Sequence, residues 1–387
     1  MAKVNLFLDF ETCSRTDLSE HGLDNYCADS STRVLMLSWA VNDALPEVWF
    51  PEVGPMPEHL ELMIRRPEIL KVAFNAEFER TILQKILGIV TPVSAWADPM
   101  IMARHASIAG DLAFVGEVLG LPEDKKKSAD GRRLIKLFCE PAKHKKKDPP
   151  NMPEFNNAIT HPEEWKSFVA YCVQDTNSER EIFYKLKAFA LPPDEKRMYE
   201  LDQEINERGL PIDMDFVNKA DAIVQEEFAE LWAEMVKLTG LENPNSRNQL
   251  LAWLKISKSE DPLDAYQYNS LGKRWVTKAL SDYCHPEIRK GLELRQKLAK
   301  SSTAKLEALK LLVNRDGRLR RQYVFGGAAR TLRWSGRGFQ PQNLPRPTIK
   351  KIAEATAAIL TGDRAEVAKF GSVLEVVASC LRGAIYV

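Results

Sequence analysis

The feature that most constrains the fold is a short apolar run that ends in two acidic residues. Val4 to Leu8 has the apolar character of a buried β-strand, and it leads directly into Asp9-Phe10-Glu11. Side chains two residues apart on a strand point to the same face, so both carboxylates are expected together at the C-terminal edge of this strand. Adjacent carboxylates repel each other unless a cation such as Mg²⁺ or Mn²⁺ lies between them. A solvated strand end with two surface acids is the alternative.

The first half of the chain alternates strand patterns with helix patterns. Strands are predicted over residues 4–10, 34–41, 47–50 and 70–74, and helices over 76–87, 99–105, 111–119, 132–138 and 162–188. This order favours an α/β domain with a central sheet. The helix-breaking sequence Leu191-Pro192-Pro193 then predicts a boundary between two domains, 1–190 and 191–387. The second is predicted to be mainly helical, over 194–208, 215–238, 246–254 and 286–313, with a turn-rich segment over 315–347.

The charge of the chain is balanced overall but unevenly placed. The 387 residues include 54 Lys and Arg and 54 Asp and Glu, whereas residues 286–351 hold 17 basic and 4 acidic side chains, a local net charge of +13. Such a stretch is typical of a protein that binds a polyanion, and a solvated basic face is the alternative. The lysine-rich segment 143–153 is interpreted as a polar loop, with DNA contact as its alternative.

The six cysteines are scattered and form no Cys-x-x-Cys pair, which argues against a zinc site or a disulfide framework and suits a reducing compartment. The N-terminus lacks a signal-peptide pattern, and no apolar stretch approaches 18 residues. The sequence therefore predicts a soluble cytoplasmic protein.

Two further acidic segments follow the first. Asn75-Ala76-Glu77-Phe78-Glu79 lies where a predicted strand meets a helix, and its acids are alternatively explained as first-turn residues behind an Asn75 cap. Tyr171 and Asp175 lie four residues apart in a predicted helix and so share one face. A surface acid beside a packed tyrosine is the alternative for this pair.

Together the three segments resemble the motifs of the DnaQ-like 3′–5′ exonucleases, the proofreading domains of family A DNA polymerases. The motifs of that family are Asp-x-Glu, Asn-Ala-x-Phe-Asp and Tyr-x-x-x-Asp, here represented by Asp9 and Glu11, by residues 75–79, and by Tyr171 and Asp175. The resemblance covers residues 1–190. It implies an α/β ribonuclease H-like fold, in which a central mixed sheet is flanked by helices.

The resemblance also implies a reaction, the hydrolytic removal of 3′ nucleotides from single-stranded or frayed DNA with two Mg²⁺ or Mn²⁺ ions. The implied metal ligands are Asp9, Glu11, Glu79 and Asp175. Tyr171 would orient the attacking water, and Asn75 and Phe78 would contact DNA. Glu79 departs from the family, which has Asp there, and Glu77 is a weaker rival for its role. Asp98 is interpreted as a helix N-cap.

The basic stretch contains Thr331-x-Arg333-x-Ser335 and Gln342-Asn343-Leu344-Pro345, which resemble the thumb and the start of the palm of bacteriophage family A DNA polymerases. The resemblance implies a mainly helical thumb region that binds primer–template. The implied DNA contacts are Arg295, Lys300, Thr303, Lys305, Arg330, Arg333, Arg337, Gln342 and Asn343.

Residues 381–387 resemble the stretch just before the motif that supplies the first catalytic Asp of the polymerase palm. We therefore expect the N-terminal part of a polymerase without catalytic palm and fingers, acting as an exonuclease in the cytoplasm of a bacterial host. Three alternatives stay open. In the first, a second chain that carries palm and fingers completes this one. In the second, this chain is a DNA-binding subunit whose exonuclease has decayed. In the third, it is a truncated gene product.

Overall fold

The computed structural model describes residues 4–122, 130–143, 152–256, 270–281, 285–298, 302–328 and 331–386. The chain forms two compact units. The first comprises Met1–Leu210 and Leu311–Gln342, and the second comprises Pro211–Lys310 and Asn343–Val387. The division after residue 190, predicted from the helix-breaking Leu191-Pro192-Pro193, stays a prediction. The boundaries of the two compact units differ from that division, because the chain returns over residues 311–342 and packs with the first unit.

The first unit is built on one mixed sheet with helices. Its strands are β1 (Asn5–Cys13), β2 (Arg33–Val41), β3 (Glu47–Trp49), β4 (Leu70–Val72) and β5 (Trp96–Ala97). Its helices are α1 (Leu18–Ala28), α2 (Glu58–Arg65), α3 (Glu77–Lys85), α4 (Pro99–His105), α5 (Leu112–Val118), α6 (Gly131–Phe138), α7 (Pro162–Lys185) and α8 (Pro193–Arg208). The strand order is β3-β2-β1-β4-β5, in which β1 is antiparallel to β2 and parallel to β4. The expected central mixed sheet with helices is therefore confirmed.

β1 is longer than predicted, and this changes the location of the first two acids. Pairing with β2 continues to Cys13, past an irregularity between Glu11 and Thr12. Phe10 and Thr12 are buried, so the strand has a reason to continue beyond Asp9. The prediction that both acids lie at the end of the strand is thus wrong, because they lie within β1.

The two faces of β1 enter different apolar clusters. Leu6, Leu8 and Phe10 pack in a core that includes residues of α1, α2 and α3. On the opposite face, Phe7 packs with a cluster from α4, α5 and α7, and Cys13 packs with one from α6 and α7. Asp9 and Glu11 lie between Phe7 and Cys13 on that second face and are only half-buried. The sheet therefore holds them under α7.

The segment predicted as turn-rich contains three strands, β7 (Arg318–Leu319), β8 (Tyr323–Ala328) and β9 (Arg333–Gly336), of which β8 and β9 form an antiparallel pair. Its glycines concealed the strand pattern. Asn206 of α8 exchanges two hydrogen bonds with the backbone of Tyr323, both at 3.0 Å. The Trp334 indole N–H donates to Asp202 at 2.6 Å. These bonds fix the hairpin on α8 within the first unit.

Asp202 gives a prediction about pH and stability. Burial raises the pKa of its carboxyl from 3.8 to about 6, against the hydrogen bonds from Trp334 and Gln203 that lower it. The folded state therefore keeps a proton there between about pH 4 and 6 that the unfolded chain has lost, so this contribution to stability falls as the pH rises through that window. In urea unfolding, the free energy of unfolding of the wild type is expected to fall between pH 4 and 7 by about 2 kcal/mol more than that of Asp202→Asn. The exposed Asp194→Asn on the same helix is the control, and parallel pH curves for wild type and Asp202→Asn would contradict this explanation.

The chain leaves the first unit in β6 (Leu210–Pro211) and forms a helical second unit. Its helices are α9 (Met214–Thr239), α10 (Arg247–Ile256), α11 (Lys273–Ser281), α12 (Pro286–Leu298), α13 (Ser302–Leu312), α14 (Ile352–Thr361), α15 (Arg364–Ala368) and α16 (Val373–Cys380). The Asp213 carboxylate caps α9 by accepting the Phe216 N–H, and Gly240 ends the helix in a left-handed conformation. α9 contacts α12, α14 and α16, so it forms the centre of this unit.

The helices predicted in both halves are found, most with ends that differ by one to three residues. The exception is 286–313, where α12 and α13 are separate helices and residues 299–301 lie outside the described ranges. α1 and α2 were not predicted, and α1 is interrupted by Gly22 at φ 77°. Within the described ranges, none of the helices combines the length and the apolar composition needed to cross a bilayer.

Candidate active site

The first acidic motif has a buried thiol beside it. The Cys172 thiol of α7 donates to Asp9, at 3.4 Å to Oδ2 and 3.5 Å to the backbone carbonyl. One ligand atom from each of Asp9, Glu11 and Cys172 lies within 4.8 Å of the others, a grouping that fits a metal ion. The sequence motifs missed Cys172, although its position three residues before Asp175 places it on the same helix.

The thiols near this group behave as neutral hydrogen-bonding groups. Burial, followed by the negative charges of Asp9 and Glu11, raises the pKa of Cys172 well above its usual range. Burial and the charge of Glu11 do the same for Cys139, whose Sγ lies 4.0 Å from Glu11 Oε2. A metal takes a cysteine as thiolate, and hard divalent cations prefer oxygen. The carboxylates are therefore the ligands that suit Mg²⁺, with Cys172 orienting Asp9.

Glu79 is brought into the same group by the first turn of α3. Its side chain is buried, and Oε2 has no hydrogen-bond partner among the described residues. Burial raises the pKa of Glu79 well above its usual range, and the negative charges of Asp9, Asp98 and Glu11 add to that effect. In the parts of the chain that the structure describes, no lysine or arginine forms an ion pair with Glu79.

The turn between β4 and α3 is fixed by Asp98. Asn75 has φ 75°, a left-handed conformation that is uncommon outside glycine. Its N–H and that of Ala76 donate to the two oxygens of Asp98, at 3.0 and 3.1 Å. Asp98 also accepts the Met100 N–H at 2.9 Å as the N-cap of α4. Its predicted role as a helix N-cap is confirmed. The hydrogen bonds that it accepts from Asn75 and Ala76 were not predicted from the sequence.

The third motif lies on α7, where Tyr171 and Asp175 are both buried. A hydrogen bond joins the Tyr171 hydroxyl to the Asp175 carboxylate, and burial together with the charges of Asp175, Glu11 and Asp9 raises the pKa of the phenol. The phenol therefore stays protonated. Gly131 at the start of α6 allows this arrangement, because a Cβ there would lie 2.2 Å from the Tyr171 ring.

Glu179 is a further acid near this group, itself buried, that the motifs did not reveal. It lies four residues after Asp175, and the regular spacing of 171, 175 and 179 is the signal that sequence reasoning had available. Oε2 accepts the Phe74 N–H at 3.0 Å. Burial raises the pKa of Glu179 well above its usual range, and the charges of Asp9, Glu79 and Asp175 contribute.

These residues fit a divalent cation. Buried carboxylate oxygens without hydrogen-bond donors are costly, and Glu79 Oε2 and Glu179 Oε1 are two such atoms among the described residues. The mutual repulsion of several acids is relieved most directly by a cation with oxygen ligands. The structure thus brings Asp9 and Glu11 together, and their charges act on two further residues of the predicted catalytic set, Glu79 and Tyr171, the second of which is hydrogen-bonded to Asp175.

Glu77, the rival to Glu79, is engaged elsewhere. Its carboxylate pairs with Arg321 at 3.1 Å and with Arg337 at 2.9 Å. Arg321 also pairs with Asp24 at 2.6 Å, and the side chains of Glu77, Arg321 and Asp24 are all more than nine-tenths buried. The arginines lower the pKa of Glu77 against the effect of burial, which alone would raise it. Glu77 is therefore a structural ion-pair partner.

The predicted DNA contacts are divided between the units. Phe78 and Glu11 line a cavity of about 750 Å³ in the first unit, and Asn75 lies at its positive-φ turn. Arg333, Arg337 and Gln342 are exposed in the same unit, and Arg337 is in addition paired with Glu77.

In the second unit, Arg295 and Lys305 are half-buried and Asn343 is exposed. Lys300, Arg330 and the Thr303 side chain lie outside the described part of the structure.

Comparison with known proteins gives a phage relative and a solved structure of similar fold. No family model matches the chain. Over 90% of its length the chain is 33% identical to a DNA polymerase of Bacillus phage SP02, and it spans 52% of that relative. It also resembles the POL domain of Pol1 from M. smegmatis, solved with a DNA primer-template and dNTP, with a TM-score of 0.50 and 14% identity over 90% of this chain and 53% of that chain. The chain is therefore homologous to a phage DNA polymerase over about half of that protein, and its mixed sheet and mostly helical remainder match a polymerase-domain fold.

Proposed function

We propose that the first unit is a metal-dependent 3′–5′ exonuclease of the ribonuclease H-like fold, which removes nucleotides from the 3′ ends of DNA. The observation that carries this proposal is the close approach of Asp9 and Glu11 at a candidate metal group, whose charges also act on Glu79 and on Tyr171, the hydrogen-bond partner of Asp175. Homology to a phage DNA polymerase supports it, because the DnaQ-like family that residues 1–190 resemble comprises the proofreading domains of DNA polymerases.

The proposed roles follow from the environment of each side chain. Asp9, Glu11 and Asp175 would hold one Mg²⁺ or Mn²⁺, and Asp9 and Glu79 a second. A pair of such cations supplies an activated water and stabilises the leaving 3′-oxygen. Tyr171, which stays protonated, would donate a hydrogen bond that orients the attacking water. Phe78, at the cavity shared with Glu11, would pack against the base of the terminal nucleotide.

The second part of the proposal is that the chain binds DNA along its basic segment. Arg and Lys side chains that neutralise backbone phosphates give an affinity that falls as salt increases. The candidates among the described residues are Arg333, Arg337 and Gln342 of the first unit, and Arg295, Lys305 and Asn343 of the second. The partner chain with palm and fingers and the location in a bacterial cytoplasm stay predictions.

Release of a labelled mononucleotide from a 3′-labelled single-stranded oligonucleotide tests the exonuclease proposal. We expect release in Mg²⁺ or Mn²⁺ that stops when EDTA removes the cation. DNA binding without any release in either cation would favour the alternative of a decayed exonuclease, which is motivated by Glu79 at the position of an Asp. In that case Glu79→Asp should restore release, because it returns the shorter side chain of the family motif.

A further inference from the structure

Glu179 lies outside the three acidic motifs, yet the charges of Asp9, Glu79 and Asp175 act on its carboxyl group. Its side chain is only 2% exposed. Oε2 accepts the Phe74 N–H at 3.0 Å, whereas Oε1 is buried without a hydrogen-bond partner among the described residues. Leaving a buried acceptor unsatisfied costs about 1–3 kcal/mol, and more for a charged group. A glutamate at this position therefore indicates that a donor reaches Oε1 in the working state.

The hydrogen bond to Phe74 has a direct consequence for Glu79. Phe74 precedes the turn at Asn75, and Glu79 lies on the first turn of the helix that follows. Asp98 holds the next two N–H groups of this turn, so two carboxylates from different elements fix three successive backbone amides. The left-handed conformation of Asn75 is uncommon outside glycine, although asparagine adopts it more readily than most residues, so these bonds contribute to fixing where α3 begins. They thereby set the position of Glu79 relative to Asp9.

We propose that Glu179 is a positioning residue of the cation site: one oxygen fixes the turn that carries Glu79, and the other accepts a hydrogen bond from a water that enters with the cation. This inference rests on the proposed exonuclease function. We assign Glu179 no direct ligand role, because one of its two oxygens already accepts the Phe74 N–H.

A purely structural role makes a different prediction. For the bond to Phe74 alone, a neutral amide oxygen serves as well as a carboxylate, and it adds no negative charge beside Asp9, Glu79 and Asp175. Glu179→Gln should therefore leave stability unchanged or raised in either case. Only the positioning role predicts that the same variant binds the cation more weakly, since partners of this kind contribute to metal affinity.

The test is Mn²⁺ binding by the full chain without DNA, followed by electron paramagnetic resonance of free Mn²⁺. Glu179→Gln is expected to weaken binding about tenfold with an unchanged or raised melting temperature. The matched control is Glu163→Gln, the same substitution at an exposed position near the start of α7, which should bind Mn²⁺ as wild type does. Glu179→Ala is expected to bind as weakly and, in addition, to lose hydrogen-exchange protection of the Phe74 amide.

The outcomes separate this inference from the proposed function. Wild-type Mn²⁺ affinity in Glu179→Gln, or absence of Mn²⁺ binding by the wild type itself, would overturn the role of Glu179. If Mn²⁺ binding depends on Glu179 while the wild type releases no nucleotide from DNA, the exonuclease proposal fails and the cation role of Glu179 stands.

Discussion

Replacing Asp9 by asparagine is expected to lower Mg²⁺-dependent release of nucleotides from a 3′-labelled oligonucleotide by at least about 10²- to 10³-fold. Asp9 is the acid whose charge acts on most of the group, since it affects the pKa of Glu79, Tyr171 and Glu179. Asparagine keeps the shape of the side chain but offers no negative charge to a cation. The variant should fold normally, because the change removes repulsion between neighbouring acids.

The control for Asp9 is Asp43→Asn, the same substitution at an exposed position just after β2 of the same sheet. It should keep wild-type activity. DNA binding by Asp9→Asn, measured by fluorescence anisotropy in EDTA, should also match wild type, because the change concerns hydrolysis. Full nuclease activity in a folded Asp9→Asn protein would show that the acidic group is not the active site.

Replacing Glu77 by alanine is expected to destabilise the first unit by about 2–3 kcal/mol, because a buried arginine loses one of its two charged partners. The Glu77 and Arg321 side chains are 7% and 6% exposed and pair at 3.1 Å. Asp24 alone then faces Arg321. Urea unfolding followed by circular dichroism measures the loss.

Arg337→Ala provides the matched control for Glu77, because Arg337 binds the same carboxylate but is 45% exposed. Its loss is expected to cost less than about 1 kcal/mol, as for other exposed ion pairs. If the two variants were destabilised equally, the buried pair with Arg321 would not be the main source of stability. A Glu77→Ala protein as stable as wild type would contradict the account of this cluster.

The parts of the site that short motifs encode were predictable from the sequence. Asp9 and Glu11 alternate on a strand, and Tyr171 and Asp175 share a helix face, so local periodicity sufficed. Cys172, Cys139 and Glu179 were not predicted, because their contacts with Asp9, Glu11 and Phe74 depend on how α6 and α7 pack on the sheet. The predicted end of β1 was wrong for a related reason, because pairing with β2 extends the strand beyond its apolar run.

The charge count of the basic segment was a weaker guide than the motifs. Its net charge of +13 predicted a surface for phosphates, yet several of its arginines have partners within the first unit. Arg320 pairs with Asp316, and Arg321 and Arg337 pair with Glu77. Arg318 donates to the backbone carbonyl of Gly209 at 3.0 Å. Charge counts do not distinguish such internal partners from groups available to DNA.

The most direct test of the central claim compares a linear single-stranded oligonucleotide, labelled at its 5′ end, with a circle of the same sequence. The acidic group of Asp9, Glu11, Glu79 and Asp175 is proposed to act only at a 3′ end. In Mg²⁺ the linear strand should therefore shorten progressively to a ladder of products that keep the 5′ label, while the circle stays intact. Cutting of the circle, or an unchanged linear strand in both Mg²⁺ and Mn²⁺, would contradict the proposed exonuclease.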